Sequence, residues 1–350
     1  MAWTTLTRVQ EFAAYLEIPF GDFQSARRQR SYIYVEADRL TGRKKKLRHL
    51  CYPPRTSELR RVQAAIKRKC LEDLPISNAV RGYRKGQHNI NCAQQLAGMR
   101  YVAKLDVKDF HPSITPELVT AVLRRHRLSQ PLCRLITQLA TFNRQVPQGA
   151  PTSNHIANLV IDFVLAQGIL EFCGARGVIV INYGDDTAFG GADQATVDEC
   201  VEFAKRVFLR NGLETNSKSS NAEHVGAARK FIGTATGRPT VDLPRNRFRE
   251  YRAELRAALR VERDPNVESR LDKTQMRSFR SKISYVRRIN RRKARALSEI
   301  FYRLCRIKRR QAQRASHDIE SCPIGARGDL APTQQTGMGT MPLECLIVFQ

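Results

Sequence analysis

A chain of 350 residues with 42% hydrophobic content is long enough to bury a sizeable core, which argues against a wholly disordered polypeptide. Its 60 Lys and Arg against 33 Asp and Glu give a formal net charge of +27, an excess that attracts phosphate polyanions and makes nucleic acid the leading partner class. The nine cysteines show no CxxC or Cys/His ligand spacing, which argues against a disulfide framework or a zinc site. No run of signal-peptide length and no segment near the ~20 apolar residues of a membrane span is read, so the expectation is a cytoplasmic chain without membrane partners.

Residues 1 to 30 read as helix and linker. "SYIYVEADRLTGRKKKLRHLCYPP" reads as a strand hairpin turning near Thr41 and Gly42, with a basic cluster that includes Lys46 and Arg48. Ser57 then caps a helical pattern carried by Leu59, Val62, Ala65, Ile66 and Cys70. "YVAKLDV" is a short strand pattern ending at Asp106. Helical patterns follow at 115 to 126 and 129 to 141, and then a Pro/Gly-punctuated loop before a long apolar helix. "GVIVINYGDDTAFGG" reads as two strands around a Gly-Asp turn, followed by an amphipathic helix ending at Asn211-Gly212. The order predicts an α+β layer of helices over an antiparallel sheet.

The charge is concentrated near the C-terminal end. Residues 245 to 310 hold 23 Lys or Arg against 7 Asp or Glu. Phe279, Ile283, Val286, Ala294, Leu297, Ile300, Phe301 and Leu304 recur there at helical spacing. This pattern predicts basic helices with one packed face and one face open to a phosphate backbone. Residues 311 to 350 read as a mostly flexible tail.

Three carboxylates invite a chemical reading. Asp106 ends one predicted strand, while Asp185 and Asp186 occupy the turn of a hairpin expected in the same sheet. Like charges that close disfavour mutual ionisation unless cations are present. Hard oxygen ligands suit Mg²⁺, and two such ions ~3.5 to 4 Å apart activate an attacking oxygen and stabilise a leaving one in phosphoryl transfer. A plain polar turn is the competing account of Gly-Asp-Asp in isolation.

In ordered blocks over roughly residues 30 to 305, the sequence resembles the retron-type reverse transcriptases, relatives of the group II intron enzymes. "KLDVKDFHPSIT", "VPQGAPTSNHIANLVID", "NYGDDTAFG", "LETNSKSS", "RKFIGTATG" and "FRSKISYVRRIN" follow one another in that family's order. The resemblance implies a right-hand polymerase, with fingers at 1–100, palm at 101–240 and a basic helical thumb at 241–310. It implies Asp106, Asp185 and Asp186 as the catalytic, metal-binding triad, with the Val107 carbonyl as a further ligand to two Mg²⁺ ions, or to Mn²⁺ in their place. Arg48, Lys46, Phe110, His111, Gln148, Gly149 and Lys218 would meet the incoming nucleotide. Tyr183, Gly184, Phe231, Gly233, Lys282, Tyr285, Arg287 and Arg288 would meet primer and template.

Some positions depart from the pattern. His111 stands where an aromatic gate against the ribose 2′-OH is usual. "NCAQQLAG" replaces an Asn-Ala-x-x-His element, and Phe231, Ile232 and Gly233 replace Val-Thr-Gly. The implied activity is RNA-directed DNA polymerisation on an RNA template, using dNTPs and leaving a DNA product. A cognate structured noncoding RNA, an adjacent effector protein and a role in antiviral defence are further implications. The alternatives are another bacterial reverse transcriptase with relaxed sugar or template selectivity, and a polymerase-derived RNA-binding module.

Overall fold

The computed structural model describes residues 3–41, 44–216, 220–224, 230–231, 234–235, 240–264 and 271–320. Helices α1 (Val9–Tyr15) and α2 (Phe20–Arg28) lock together through Phe12 and Phe23, whose rings meet edge to face at 6.1 Å. Strands β1 (Ile33–Thr41) and β2 (Lys44–Tyr52) form the expected antiparallel hairpin, with Ile33 opposite Tyr52 and Thr41 opposite Lys44. Its turn at 42–43 and its side chains from 36 to 49 lie outside the described residues. The hairpin is anchored at its root: Tyr32 stacks on Phe142 with centroids 4.2 Å apart, and Cys51 donates its N–H to the Gln148 carbonyl at 2.8 Å.

Helix α3 (Glu58–Lys69) starts where the sequence requires, because the Ser57 hydroxyl accepts the Arg60 N–H, and it buries Leu59, Val62, Ala65 and Ile66. Helix α4 (Asn89–Leu96) is capped by His88 and buries Ile90, Cys92, Ala93 and Leu96.

Strand β3 (Tyr101–Asp106) leads into a short helix α5 (Phe110–Ser113) and then the two expected helices, α6 (Pro116–Arg125) and α7 (Gln130–Ala140), which Thr115 and Ser129 cap. Helix α8 (Ser153–Val164) continues through a kinked turn at Gln167 and Gly168 into α9 (Leu170–Gly174). This corrects one expectation. Ser153–Gly174 is 22 residues long, with a mean hydropathy of 1.7 in its most apolar stretch, which by length and composition would cross a membrane. Most of it is buried inside the fold, so its apolar character is that of a core helix.

Strands β4 (Ile179–Tyr183) and β5 (Asp186–Gly191), helix α10 (Gln194–Arg210) and strand β6 (Ser220–His224) complete the central layer. The sheet order is β4-β5-β3-β6, antiparallel throughout. Alternation gives the two faces different work. Ala103, Leu105, Thr187 and Phe189 are buried on the face that α10 covers, and all but Thr187 belong to the main core. Val102, Ile181 and Ala188 pack on the opposite face with Cys92 and Leu96 of α4 and with Phe231 of the short pair β7 (Lys230–Phe231) and β8 (Thr234–Ala235).

The basic segment forms helices α11 (Arg245–Arg263), α12 (Lys273–Ile289) and α13 (Arg291–Glu320). They bury a core of their own from Leu255, Phe279, Ile283, Val286, Leu297 and Leu304, the stripe the spacing predicted. The tail expected from residue 311 does not begin there: α13 runs on to Glu320, and residues 321–350 lie outside the described set.

Candidate active site

The site begins with register. Asp106 and Asp186 are direct partners across β3 and β5, so both carboxylates leave the sheet on one face, at the end left open beyond Val102 and Ala188. Tyr183 faces Asp186 across the hairpin, and Gly184 and Asp185 form its two-residue loop. Gly184 has φ +68° while Asp185 stays at negative φ, the pattern of a II′ turn, which matches the twist of the flanking strands. Asp185 is exposed at the tip and Asp186 is half-buried behind it.

Residues that the sequence did not single out hold this turn. The buried Asn182 donates from Nδ2 to the carbonyls of Gly184 (3.0 Å) and Asp186 (3.2 Å) and to Thr187 Oγ1 (3.0 Å). Its backbone is gripped from outside the sheet. The Asn182 N–H donates to the Ala79 carbonyl at 2.7 Å, and the Arg81 N–H donates to the Asn182 carbonyl at 2.9 Å. Gly82 comes so close that a Cβ there would stand 2.6 Å from Gly184 N, and Asn158 of α8 donates to the Gly82 carbonyl. The signal available in the sequence was only a polar Asn inside an apolar strand.

Two of the three carboxylates already have protein partners. Lys104 Nζ lies 2.5 Å from Asp186 Oδ1, and Asn216 Nδ2 donates to Asp106 Oδ2 at 2.8 Å. Burial pushes the Asp186 carboxyl up to about 6. The Lys104 ammonium pulls it down, and the charges of Asp185 and Asp106 add to the rise. Val107 donates its N–H to the Asp185 carbonyl at 3.2 Å. The bonds that flank it run from Lys108 N–H to the Glu214 carbonyl and from Asn216 N–H to the Asp106 carbonyl, leaving the Val107 carbonyl outside that bridge.

Among the described residues, no three His, Cys, Asp or Glu side chains are grouped so that they could hold a metal ion between them. The donor set still fits a hard divalent ion. Mg²⁺ keeps several waters and takes one or two carboxylates plus substrate phosphates, rather than an all-protein shell. A carboxylate raised by burial first, and then by its like-charged neighbours, is the environment a divalent cation relieves.

The remaining candidates divide. Gln148 is half-buried and Gly149 exposed, in a loop tied to the end of β2 by the Cys51 bond, with Gly149 at φ +118°. His111 is half-buried, with Nε2 3.2 Å from Asn154 Oδ1 of α8. Phe110 does not belong with it: the ring is 6% exposed and packs in the main core, so it offers a nucleotide no side-chain surface. Phe231 is likewise a core residue, 2% exposed, rather than a surface for primer. Tyr183 is half-buried beside Tyr83 with centroids 6.2 Å apart, and burial raises its hydroxyl pKa.

The backbones of Lys46 and Arg48 pair with Arg39 and Ala37 in the hairpin, while their side chains, and all of Lys218 and Gly233, lie outside the described residues. The four thumb candidates do not share a face. Lys282 pairs with Glu254 of α11, and Asn89 of α4 donates to the Tyr285 hydroxyl at 2.8 Å. Arg288 lies near enough to His88 to depress its pKa, after burial, and Arg287 points into a groove between α12 and α13.

Comparison with known proteins agrees with this geometry. Residues 41–236 match the family described as "Reverse transcriptase (RNA-dependent DNA polymerase)". The chain is 28% identical over 214 residues to the retron Ec86 reverse transcriptase of Escherichia coli, covering 61% of this chain and 66% of that protein. It is 27% identical over 230 residues to the retron Mx65 reverse transcriptase of Myxococcus xanthus, covering 60% and 52%. It is 32% identical over 188 residues to the retron Se72 reverse transcriptase of Salmonella heidelberg, covering 53% and 49%. The aligned part thus spans between about half and two thirds of the length of each of these relatives. With paired carboxylates at the end of an antiparallel sheet and more than half of its length matched, the chain belongs to the reverse transcriptase family and is of the retron type.

Proposed function

We propose that the chain is an RNA-directed DNA polymerase that extends a primer on an RNA template by nucleotidyl transfer. The observation that carries this reading is the cross-strand pairing of Asp106 with Asp186, beside Asp185 at the tip of a pinned turn. In the right-hand arrangement that the family implies, the β1–β2 hairpin and α1 to α4 are the fingers, the four-stranded sheet with its helices is the palm, and α11 to α13 are the thumb.

Two divalent ions, Mg²⁺ or Mn²⁺, would supply charge neutralisation at the attacking and leaving oxygens. Asp106, Asp185, Asp186 and the Val107 carbonyl would hold them. The residues of the chain do the rest by positioning. The II′ turn presents Asp185 outward and Asp186 inward, and Asn182 fixes the turn from beneath. The Lys104 ammonium lies against Asp186 and offsets its charge. Gln148 and Gly149 would line the nucleotide's path at the root of the fingers hairpin, with Arg48 and Lys46 above it. His111, steadied by Asn154, would stand against the sugar.

The retron names of the relatives support a cognate structured RNA as the template and primer source. An adjacent effector, a role in defence and a cytoplasmic location are parts of the proposal that rest on the resemblance.

The experiment is extension of a primed RNA template by the purified protein with Mg²⁺ and labelled dNTPs, beside the Asp185→Asn, Asp186→Asn variant. Template-dependent DNA synthesis that falls by a factor on the order of 10³ or more in the variant supports the reading. RNA binding without synthesis by the wild type, on generic and cognate RNA alike, would replace it with the RNA-binding module.

A further inference from the structure

The loop before α4 holds one residue in a conformation that its own chemistry disfavours. Tyr83 has φ +56°, in the left-handed region where the Cβ of an L-residue crowds the following carbonyl and where a bulky side chain is an outlier. Glycine would sit there at less cost. The strain is held from both sides. Asn158 of α8 donates to the Gly82 carbonyl, and the Arg84 guanidinium donates to the carbonyls of Ser77 at 3.1 Å and Val80 at 2.9 Å. Two residues before Tyr83, the Arg81 N–H donates to the Asn182 carbonyl of β4 at 2.9 Å. Strain that its surroundings over-determine in this way collects where local geometry serves function.

The Tyr83 side chain goes to the Gly184-Asp185 turn. A Cβ on Gly184 would stand 3.2 Å from the Tyr83 hydroxyl oxygen and 3.4 Å from its ring. The phenol therefore occupies the space that a side chain of residue 184 would take. Gly184 is buried at the tip of the hairpin, while Asp185 beside it is exposed. The ring also leans on Tyr183, with centroids 6.2 Å apart and planes at 37°. An uncovered glycine has more backbone conformations open to it than any other residue, and Gly followed by Asp suits a I′ turn as well as a II′ turn. The two differ by a flip of the peptide between residues 184 and 185. That flip would carry the Gly184 carbonyl off Asn182 Nδ2 and turn Asp185.

We infer that Tyr83 is a positioning residue for the proposed nucleotidyl transfer: its ring stands in for the side chain that Gly184 lacks and confines the turn to the geometry that presents Asp185 and Asp186. It acts through Gly184. The inference rests on the polymerase reading for what the turn does, and not for how the ring holds it.

Tyr83→Gly and Tyr83→Asn remove the ring and relax the backbone, so they separate positioning from stability. In extension of a primed RNA template with Mg²⁺, kcat should fall about 30-fold in both, while KM for dNTP and affinity for the primed template stay within about twofold of wild type. The urea midpoint should not drop, because relief at residue 83 offsets the lost ring contacts. The Val107 amide, which donates to the Asp185 carbonyl, should exchange its hydrogen about tenfold faster. Tyr83→Phe keeps the ring and should recover kcat to within about threefold of wild type.

Wild-type kcat in the Gly and Asn variants would overturn the inference. So would a kcat loss that tracks a fall in the urea midpoint, or failure of both variants to fold, since either makes the ring a stability element alone. A raised KM for dNTP, or weaker primed-template binding with kcat kept, would overturn it by making the ring a substrate contact, and a Tyr83→Phe enzyme as slow as the Gly variant would assign the effect to the hydroxyl instead. A wild type that synthesises nothing would sink the polymerase reading, and hydrogen exchange at Val107 together with the urea midpoint would then decide whether the ring holds the turn.

Discussion

Lys104 and Asp186, on neighbouring strands and diagonal to one another, are joined by an ion pair of 2.5 Å, so an ammonium group sits against a carboxylate assigned to a metal ion. Lys104 shares its face of β3 with Asp106, two residues on. A cation binding there must displace or tolerate that ammonium. Lys104→Met should therefore raise the affinity of the resting protein for Mn²⁺ by a few-fold, the equivalent of about 1 kcal/mol for a half-exposed pair. Electron paramagnetic resonance of free Mn²⁺ measures this without any turnover. Unchanged or weaker binding would show that Lys104 does not compete for the site.

Gly82 and Asn182 hold the Gly184-Asp185 turn in place. Gly82→Ala puts a Cβ within 2.6 Å of the Gly184 backbone nitrogen, where nothing flexible can yield. The expected result is a drop in kcat of about 10²-fold, from displacement of Asp185 and Asp186 by a fraction of an ångström. KM for dNTP should change far less. Asn182→Ala leaves the turn carbonyls unpaired and should cost about 1–3 kcal/mol of stability in denaturant unfolding. A Gly82→Ala enzyme with wild-type kcat would remove the turn from the argument.

The His111 ring and Asn154 are satisfied together when Nε2 carries the proton and Oδ1 accepts it. Asn154→Ala frees the ring and should lower discrimination of dNTP against rNTP by about fivefold, the worth of one hydrogen bond. His111→Phe should keep or raise discrimination. Steady-state kcat/KM for matched dNTP and rNTP pairs decides between these outcomes, and equal ratios in all three proteins would mean that His111 is no gate.

Asp242 ties the segment leading into α11 to the turn between α12 and α13. Its carboxylate accepts from Lys293 Nζ (2.8 Å), from Asn290 Nδ2 (3.0 Å) and from the Leu243 N–H. Burial pushes its pKa up, but these donors outweigh burial and hold it below the ordinary carboxylate range. A pKa lower in the folded state than in the unfolded state means stability that is present above the unfolded value, ~3.9, and lost as pH falls through the folded one. Asp242→Asn should therefore be less stable than wild type by about 1 kcal/mol at neutral pH, and the two should converge below pH ~4. Parallel unfolding curves at all pH values would refute this account.

The longer helices and the β4–β5 hairpin are legible because their signals are local. Ser57, Thr115 and Ser129 each stand one residue before a helix and accept the N–H that caps it. The apolar stripe through Phe279, Ile283, Val286, Leu297 and Leu304 repeats at helical spacing and is buried as that spacing requires. Phe110 and Phe231 were misread as contact residues for the opposite reason. A motif names a position, and only packing shows whether its side chain faces the substrate or the core.

By itself, the sequence determined that three carboxylates lie at a strand end and a Gly-Asp turn, and that a strongly basic helical segment follows them. The tertiary structure decided what those groups meet. Asn182 reaches the turn from its own strand, but the grip on it comes from residues 79 to 82, about a hundred positions earlier. Lys104 finds Asp186 only through strand register. The groove between α12 and α13 exists only because these two helices, separated by a turn at Asn290, lie side by side. Spacing along the chain is set by local sterics and hydrogen bonding. Contacts across it are set by which faces the core buries, and that is settled only when the whole chain has packed.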